Sequence, residues 1–288
     1  MPTAIRSLVS ILALLAAGTG YAAELRTTRT FEESFAPAGG PIESLVVDNV
    51  FGSIRVRAHD GDTVAMTVTE TVVARTERAA ERARAEVRLE TRHADGVVDL
   101  FVDGPFRDRR ERGRRLRHDD PGYRVIYDLE LRVPRRLDLD LSTVDEGEVD
   151  VAGVEGDFAL RNVNGGLRLA DAAGAGVLRT VNGDIRASFA RAPRQDLEVH
   201  TVNGDIDLAF PPGLAADLEF ESLNGELRVA APERGGWELV ALPSRTVRDE
   251  RGGARYRVER VSSWRIGAGG PTLRLETLNG DVTLTGAD

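Results

Sequence analysis

The chain contains no cysteine and no lysine. The first absence removes disulfides, thiolate metal sites and a cysteine nucleophile together, so stability has to come from packing and hydrogen bonds. The second leaves all 38 cations as arginine against 47 acids, a formal net charge of −9 that argues against nucleic acid as a partner. Aromatic residues are scarce, at 5 %, and the two tryptophans, Trp237 and Trp264, sit outside the repeats described below. Long apolar runs are also missing. The one stretch of note, residues 8–17, is about half the ~20 residues a membrane-spanning helix needs.

That stretch follows the cation Arg6 and precedes the sequence Gly20-Tyr21-Ala22-Ala23. The pattern predicts a secretory signal peptide over residues 1–22, cleaved after Ala22 or Ala23. No cysteine follows it, so no lipid anchor is expected, and the mature chain is expected in the periplasm, at the cell surface or in the medium.

Residues 23–136 read as an N-terminal β region. Residues 42–56 and 63–69 alternate apolar and polar side chains and are rich in β-branched residues, which predicts antiparallel strands. Residues 76–86 change to strong helix formers after Thr76, which predicts one short helix. Two strands are expected next, near 87–91 and 97–102, then a long loop over 104–122, then another strand over 123–133.

From residue 137 to the end one pattern dominates. RNVNGGLRL (161–169), RTVNGDIRA (179–187), HTVNGDIDL (200–208), ESLNGELRV (221–229) and ETLNGDVTL (276–284) are one nine-residue sentence. Its template is any residue, Ser/Thr/Asn, Val/Leu, Asn, Gly, an acid or Gly, then apolar, any, apolar. Asn-Gly suits tight turns because both residues tolerate positive φ. Two architectures fit: hairpins joined into a β-sandwich, or an all-β solenoid in which each Asn-Gly turns a corner and equivalent strands stack about 4.8 Å apart. The solenoid also explains the identity at one position, since Asn164, Asn182, Asn203, Asn224 and Asn279 could stack into a side-chain ladder. An excursion over 234–270 interrupts the series, and the final strand pair is expected to cap the stack.

These features resemble a known family, the bacterial putative-adhesin domains of unknown function, which are exported proteins with repeated Thr-x-Asn-Gly-Asp-Ile rungs. The resemblance rests on DNVFGSIRV (48–56), the helix-bearing segment 74–92, the five Asn-Gly units and the ending GGPTLRLETLNGDVTL (269–284). It implies a β-solenoid in the cell envelope with an adhesive, scaffold or stress-signalling role, and it implies no catalytic residues.

The acids after the turns, Asp184, Asp205 and Asp281, with Asp157 and Glu226 in related positions, could line a cation or carbohydrate groove, the latter as in a polysaccharide hydrolase or lyase. Gly166 breaks that series, and turn acids commonly serve local hydrogen bonding. His59, His93, His118 and His200 lack metal-ligand spacing, and no metal or cofactor is expected. Seven arginines, Arg107, Arg109, Arg110, Arg112, Arg114, Arg115 and Arg117, stand against Asp108 and Glu111 in one run. Guanidinium forks suit phosphates and carboxylates, so an anionic lipid surface, an acidic glycan or an acidic envelope protein are the expected partners. A solvated loop is the alternative for that run, and a sugar platform or an end cap for the tryptophans. The function expected is non-catalytic: an envelope interaction protein, with a regulatory partner of a membrane signalling protein as the alternative.

Overall fold

The computed structural model describes residues 5–14, 24–107, 121–232, 237–247 and 259–286, and the chain divides into two units, residues 1–150 and 151–288. Among the described residues both are built of strands in mixed sheets, and the first holds one helix. No helix among the described residues is long and apolar enough to cross a membrane.

The first unit holds β1 (Ile5–Leu14), β2 (Leu25–Phe35), β3 (Ser44–Asp48), β4 (Ile54–His59), β5 (Val64–Ala74), α1 (Glu77–Glu86), β6 (Arg88–Ala94), β7 (Val97–Asp103), β8 (Tyr123–Pro134) and β9 (Asp138–Ser142). The next strand, β10 (Val149–Ala152), crosses the boundary between the units. One sheet of the first unit runs β1-β2-β5-β8-β4 and the other β9-β3-β7-β6. Strand β1, inside the segment read as a signal peptide, lies antiparallel along β2. The period of two is what buries β5 and β8: Met66 and Val68 stand opposite Leu131 and Leu129, and all four are at most 2 % exposed. Helix α1 starts where Thr76 accepts the Ala79 N–H at 3.2 Å, and it turns Ala79, Ala80 and Ala83 toward β5 and β8.

The antiparallel reading of residues 42–56 needs correction. Strands β3 and β4 belong to different sheets and pair in parallel, β3 with β7 and β9, β4 with β8. The turn between them explains why. Asn49, 1 % exposed, donates to the carbonyls of Gly52 at 3.2 Å and Tyr127 at 2.9 Å, so the chain is carried across to the second sheet instead of folding back.

The second unit contains β11 (Phe158–Arg161), β12 (Leu167–Ala172), β13 (Gly176–Arg179), β14 (Ile185–Phe189), β15 (Leu197–Asn203), β16 (Ile206–Phe210), β17 (Ala216–Asn224), β18 (Leu227–Ala230), β19 (Leu239–Val247), β20 (Glu259–Ile266), β21 (Thr272–Asn279) and β22 (Val282–Gly286). Strands β12-β14-β16-β22-β18 form one all-parallel series. Strands β11-β13-β15-β21-β17 form another, extended by the antiparallel pair β20 and β19. The two strands flanking each Asn-Gly lie in different series, so the alternative of a sandwich of Asn-Gly hairpins does not hold.

The final pair does not cap the series. Strand β21 runs between β15 and β17, and β22 between β16 and β18. The burial of its side chains gives the reason: Leu273, Leu275, Val282 and Leu284 are each 0 % exposed, a complement that only a central position satisfies. Inside the unit Phe189 stacks on Phe210 at 4.8 Å between centroids, Phe158 lies 6.5 Å from Phe189, and Trp237 sets its edge against Phe210 at 6.4 Å. Such pairs add about 0.5–1.5 kcal/mol each beyond the area they bury.

Candidate interaction face

Each Asn-Gly corner of the second unit stacks on the next, and four columns of side chains result. The asparagines form a single file in the order 164, 182, 203, 279, 224. Asn182 donates to Asn164, Asn203 to Asn182, Asn279 to Asn203 and Asn224 to Asn279, each from Nδ2 to Oδ1 at 2.8 Å. None of these asparagines has positive φ, so the file, and not turn geometry, accounts for the residue type.

The glycines answer a different constraint. A Cβ on Gly204 would lie 2.1 Å from the carbonyl oxygen of Gly183, and one on Gly280 would lie 2.0 Å from that of Gly204. Successive corners approach through their backbones, which only glycine allows. Buried hydroxyls brace the same carbonyls. Thr180 donates to Gly165 at 2.9 Å, Thr201 to Gly183 at 3.1 Å and Thr277 to Gly204 at 3.4 Å. Ser222 occupies this position in the last corner, with its hydroxyl buried and unpartnered.

The acids after the turns are engaged in the stacking. Asp184 accepts the N–H of Asp205 at 3.1 Å, Asp205 that of Asp281 at 2.8 Å, and Asp281 that of Glu226 at 3.0 Å. Asp184 also pairs with Arg186 at 2.9 Å, and Asp281 with Arg228 at 2.6 Å. The Glu226 N–H and then the Arg228 guanidinium hold the Asp281 carboxyl below its ordinary range. Asp157 serves similarly, accepting the Ala175 N–H at 3.2 Å. The backbone bonds and the Asp281–Arg228 pair run from one corner to the next, so Asp184, Asp205 and Asp281 each take part in the stacking.

The fourth column is apolar and faces solvent. Between the inward Ser/Thr/Asn and the asparagine stand Val163, Val181, Val202, Leu278 and Leu223, with exposures of 37 %, 38 %, intermediate, 43 % and 72 % in that order. The sequence template showed this Val/Leu position, and the missing signal was its direction. With the residue two before the Asn turned in, by its hydroxyl bond at Thr180, Thr201 and Thr277, strand alternation turns the next one out.

Of the seven arginines in the charged run, Arg107 is described, and Arg109, Arg110, Arg112, Arg114, Arg115 and Arg117 lie outside the described residues, as does His118. Arg107 is 7 % exposed, its guanidinium 2.7 Å from Asp48, 2.6 Å from the Val102 carbonyl and 4.2 Å over the Phe101 ring. It anchors the start of the run in the first unit. Beside it, a cavity of ≈ 380 Å³ is lined by Phe51, Val87, Phe106, Tyr123 and Val125, with Arg82 at its rim.

The remaining expectations fall into place singly. His59 accepts the Gly61 N–H at Nδ1, and its Nε2 lies 2.9 Å from the Thr63 carbonyl, so both ring nitrogens are engaged locally. His93 packs edge-on to Phe35, and His200 lies 3.1 Å from Glu276. No group of three or more possible metal ligands occurs among the described residues. Trp237 is buried against Phe210, and Trp264 is half-buried on β20. Burial, followed by the Glu70 carboxylate, pushes the Tyr127 hydroxyl above its ordinary value, beside an Arg29–Glu70 pair at 2.6 Å.

Residues 137–285 match the family model Toastrack DUF4097. No curated protein matches. Among solved structures, the chain is similar to one described as a putative cell adhesion protein from Clostridium sporogenes, at 8 % identity and TM-score 0.39, over 89 % of this chain and 99 % of that one. It is also similar to one described as a putative lipid binding protein from Parabacteroides distasonis, at 12 % identity and TM-score 0.23, over 91 % and 97 % of the two chains. A third, described as a putative adhesin from Parabacteroides merdae, shares 10 % identity at TM-score 0.22, over 91 % and 96 %.

Proposed function

The chain belongs to the Toastrack DUF4097 family, and from the face described above we propose that it is a non-catalytic, exported binding protein. In this reading the second unit is a β-solenoid that serves as a rigid support, and its row of outward Val and Leu side chains meets an envelope protein. The row carries the proposal. Four of the five corners place an exposed apolar side chain, and the fifth the partly exposed Val202, beside a file of amides whose hydrogen bonds run along the stack, and equivalent strands repeat at about 4.8 Å. A contiguous exposed apolar strip of this kind marks an interaction surface more often than scattered apolar residues do. The engagement of Asp184, Asp205 and Asp281 in stacking bonds supports the non-catalytic half of the reading. The signal-peptide pattern of residues 1–22 supports export, and the arginines at 109–117 offer a second contact for acidic headgroups or glycans.

The test is a pull-down from envelope extract with the parent chain, a Val163→Thr/Val181→Thr/Leu278→Thr variant, and a variant with the six arginines from Arg109 to Arg117 changed to Ser. Threonine keeps the β propensity while removing apolar surface. A partner retained by the parent and the arginine variant but lost from the threonine variant supports the strip. Turnover of an envelope polymer by the purified chain, abolished by Asp184→Asn and Asp205→Asn, would overturn the non-catalytic reading.

A further inference from the structure

The stack of corners in the second unit is complete at every step but its last. Among the described residues strand β18 pairs only with β22, and β17 has β20 on its second edge along residues 216–220. In each earlier corner the Gly N–H donates to the Asn carbonyl of the next: Gly165 to Asn182, Gly183 to Asn203, Gly204 to Asn279, Gly280 to Asn224. Among the described residues no further corner receives Gly225, and Asn224 ends the amide file with its Oδ1 unclaimed.

The side chains show the same incompleteness. Leu227 and Val229 are half-exposed, whereas the residues in register with them, Val282 and Leu284, are both 0 % exposed. At this end Leu223 is 72 % exposed, and Trp237 has a buried Nε1 without a partner among the described residues. Among the described residues the other series ends here too, on β19, which pairs only with β20 and exposes Leu239 at 37 % and Val240 at 48 %.

We propose that this open end is an interface for a second copy of the chain, joined edge strand to edge strand. The edge is self-complementary. It offers the Gly225 N–H and the alternating N–H and C=O groups of β18 as well as the Asn224 acceptor, so a two-fold axis gives each group a partner on the mate. Its charges are mixed: Arg228 lies 3.2 Å from Glu226 and 2.6 Å from Asp281, and antiparallel pairing of two β18 strands brings each Arg228 toward the acids of its mate. Leu227 and Val229 of the two copies then cover each other as successive corners do within the chain. This end shares Leu223 with the outward Val and Leu row, and the threonine changes at 163, 181 and 278 leave it intact.

Sedimentation velocity of the purified chain over about a hundredfold concentration range tests it. The expected result is a concentration-dependent dimer whose dissociation constant rises at least about tenfold with Val229→Lys, a charge placed where the edge would be covered. Leu223→Arg alters a side chain already in water, so it gives the same readout should the lysine variant fold poorly. Slower hydrogen exchange of the 225–230 amides at high concentration is expected in the parent and absent in both variants. A parent that stays monomeric throughout, or a dimer that both variants leave unchanged, would overturn the proposal. A monomer whose β18 edge is instead protected by an extended peptide overturns it in favour of strand addition by another protein.

Discussion

Replacing Asn203 separates the two explanations for its recurrence. Asn203 stands in the middle of the amide file, donating to Asn182 and accepting from Asn279, both at 2.8 Å. Alanine there removes two hydrogen bonds, whereas alanine at Asn224, the end of the file, removes one. A neutral hydrogen bond contributes about 0.5–1.5 kcal/mol net, and these side chains are exposed enough for water to replace part of it. Asn203→Ala is therefore expected to cost about 1–2 kcal/mol and Asn224→Ala about half as much. Asn203→Gly sharpens the comparison, because a turn that needed permissive φ would tolerate glycine, while a ladder would lose the same two bonds. Urea midpoints followed by tryptophan fluorescence read the difference, since Trp237 packs on Phe210 inside the unit. Equal costs at Asn203 and Asn224, or a glycine variant as stable as the parent, would refute the ladder as the reason for the residue.

Three further outcomes follow from the same corners. Gly204→Ala sets a Cβ 2.1 Å from the Gly183 carbonyl oxygen, so the corners must part; a loss of about 3–5 kcal/mol is expected in urea unfolding, and a loss under about 1 kcal/mol would mean the backbones are not in contact. Ser222→Thr should stabilise by about 0.5–1 kcal/mol, seen as a higher thermal midpoint, because the stiffer side chain can hold its hydroxyl on the Gly280 carbonyl as Thr277 does on Gly204. The Asp281 carboxyl is held below its ordinary value of 3.8, so its contribution is present above that value and disappears as pH falls through the lower folded value. The parent should therefore exceed Asp281→Asn in stability at pH 7, with the gap closing in acid; a gap that persists in strong acid would assign the effect to shape and not to charge.

The sequence made some of this legible and hid the rest for identifiable reasons. Thr76 before a run of Ala, Glu and Arg marks α1 because capping and propensity are local properties. The five Asn-Gly pairs mark the corners because their constraint repeats. Pairing partners are another matter, since a period of two says which face of a strand is buried and nothing about its neighbours. Hence β3 and β4 read as an antiparallel pair, and β21 and β22 read as a cap, although each has near-identical corners on both sides. Glycine drew the right attention for an incomplete reason: the spacing between corners, absent from any local pattern, is what forbids a Cβ at 204 and 280. Arg107 looks like its six neighbours in the run, and its burial depends on Asp48 and Phe101, which are distant or on another strand.

The outward Val and Leu row is the place where fold and function can be told apart. Packing fixes the direction of positions 163, 181, 202, 278 and 223 but does not fix their chemistry, because a side chain in solvent need not be apolar. Strand propensity explains a valine there, and threonine would serve that purpose with better solvation. It does not explain Leu278 or Leu223, whose side chains are not β-branched and are 43 % and 72 % exposed. The columns beside this row are accounted for by what they bond: amide to amide, hydroxyl to carbonyl, carboxylate to backbone N–H. An apolar side chain at all five corners has no such bond to make, and the proposed covering surface supplies a physical reason for it to be there.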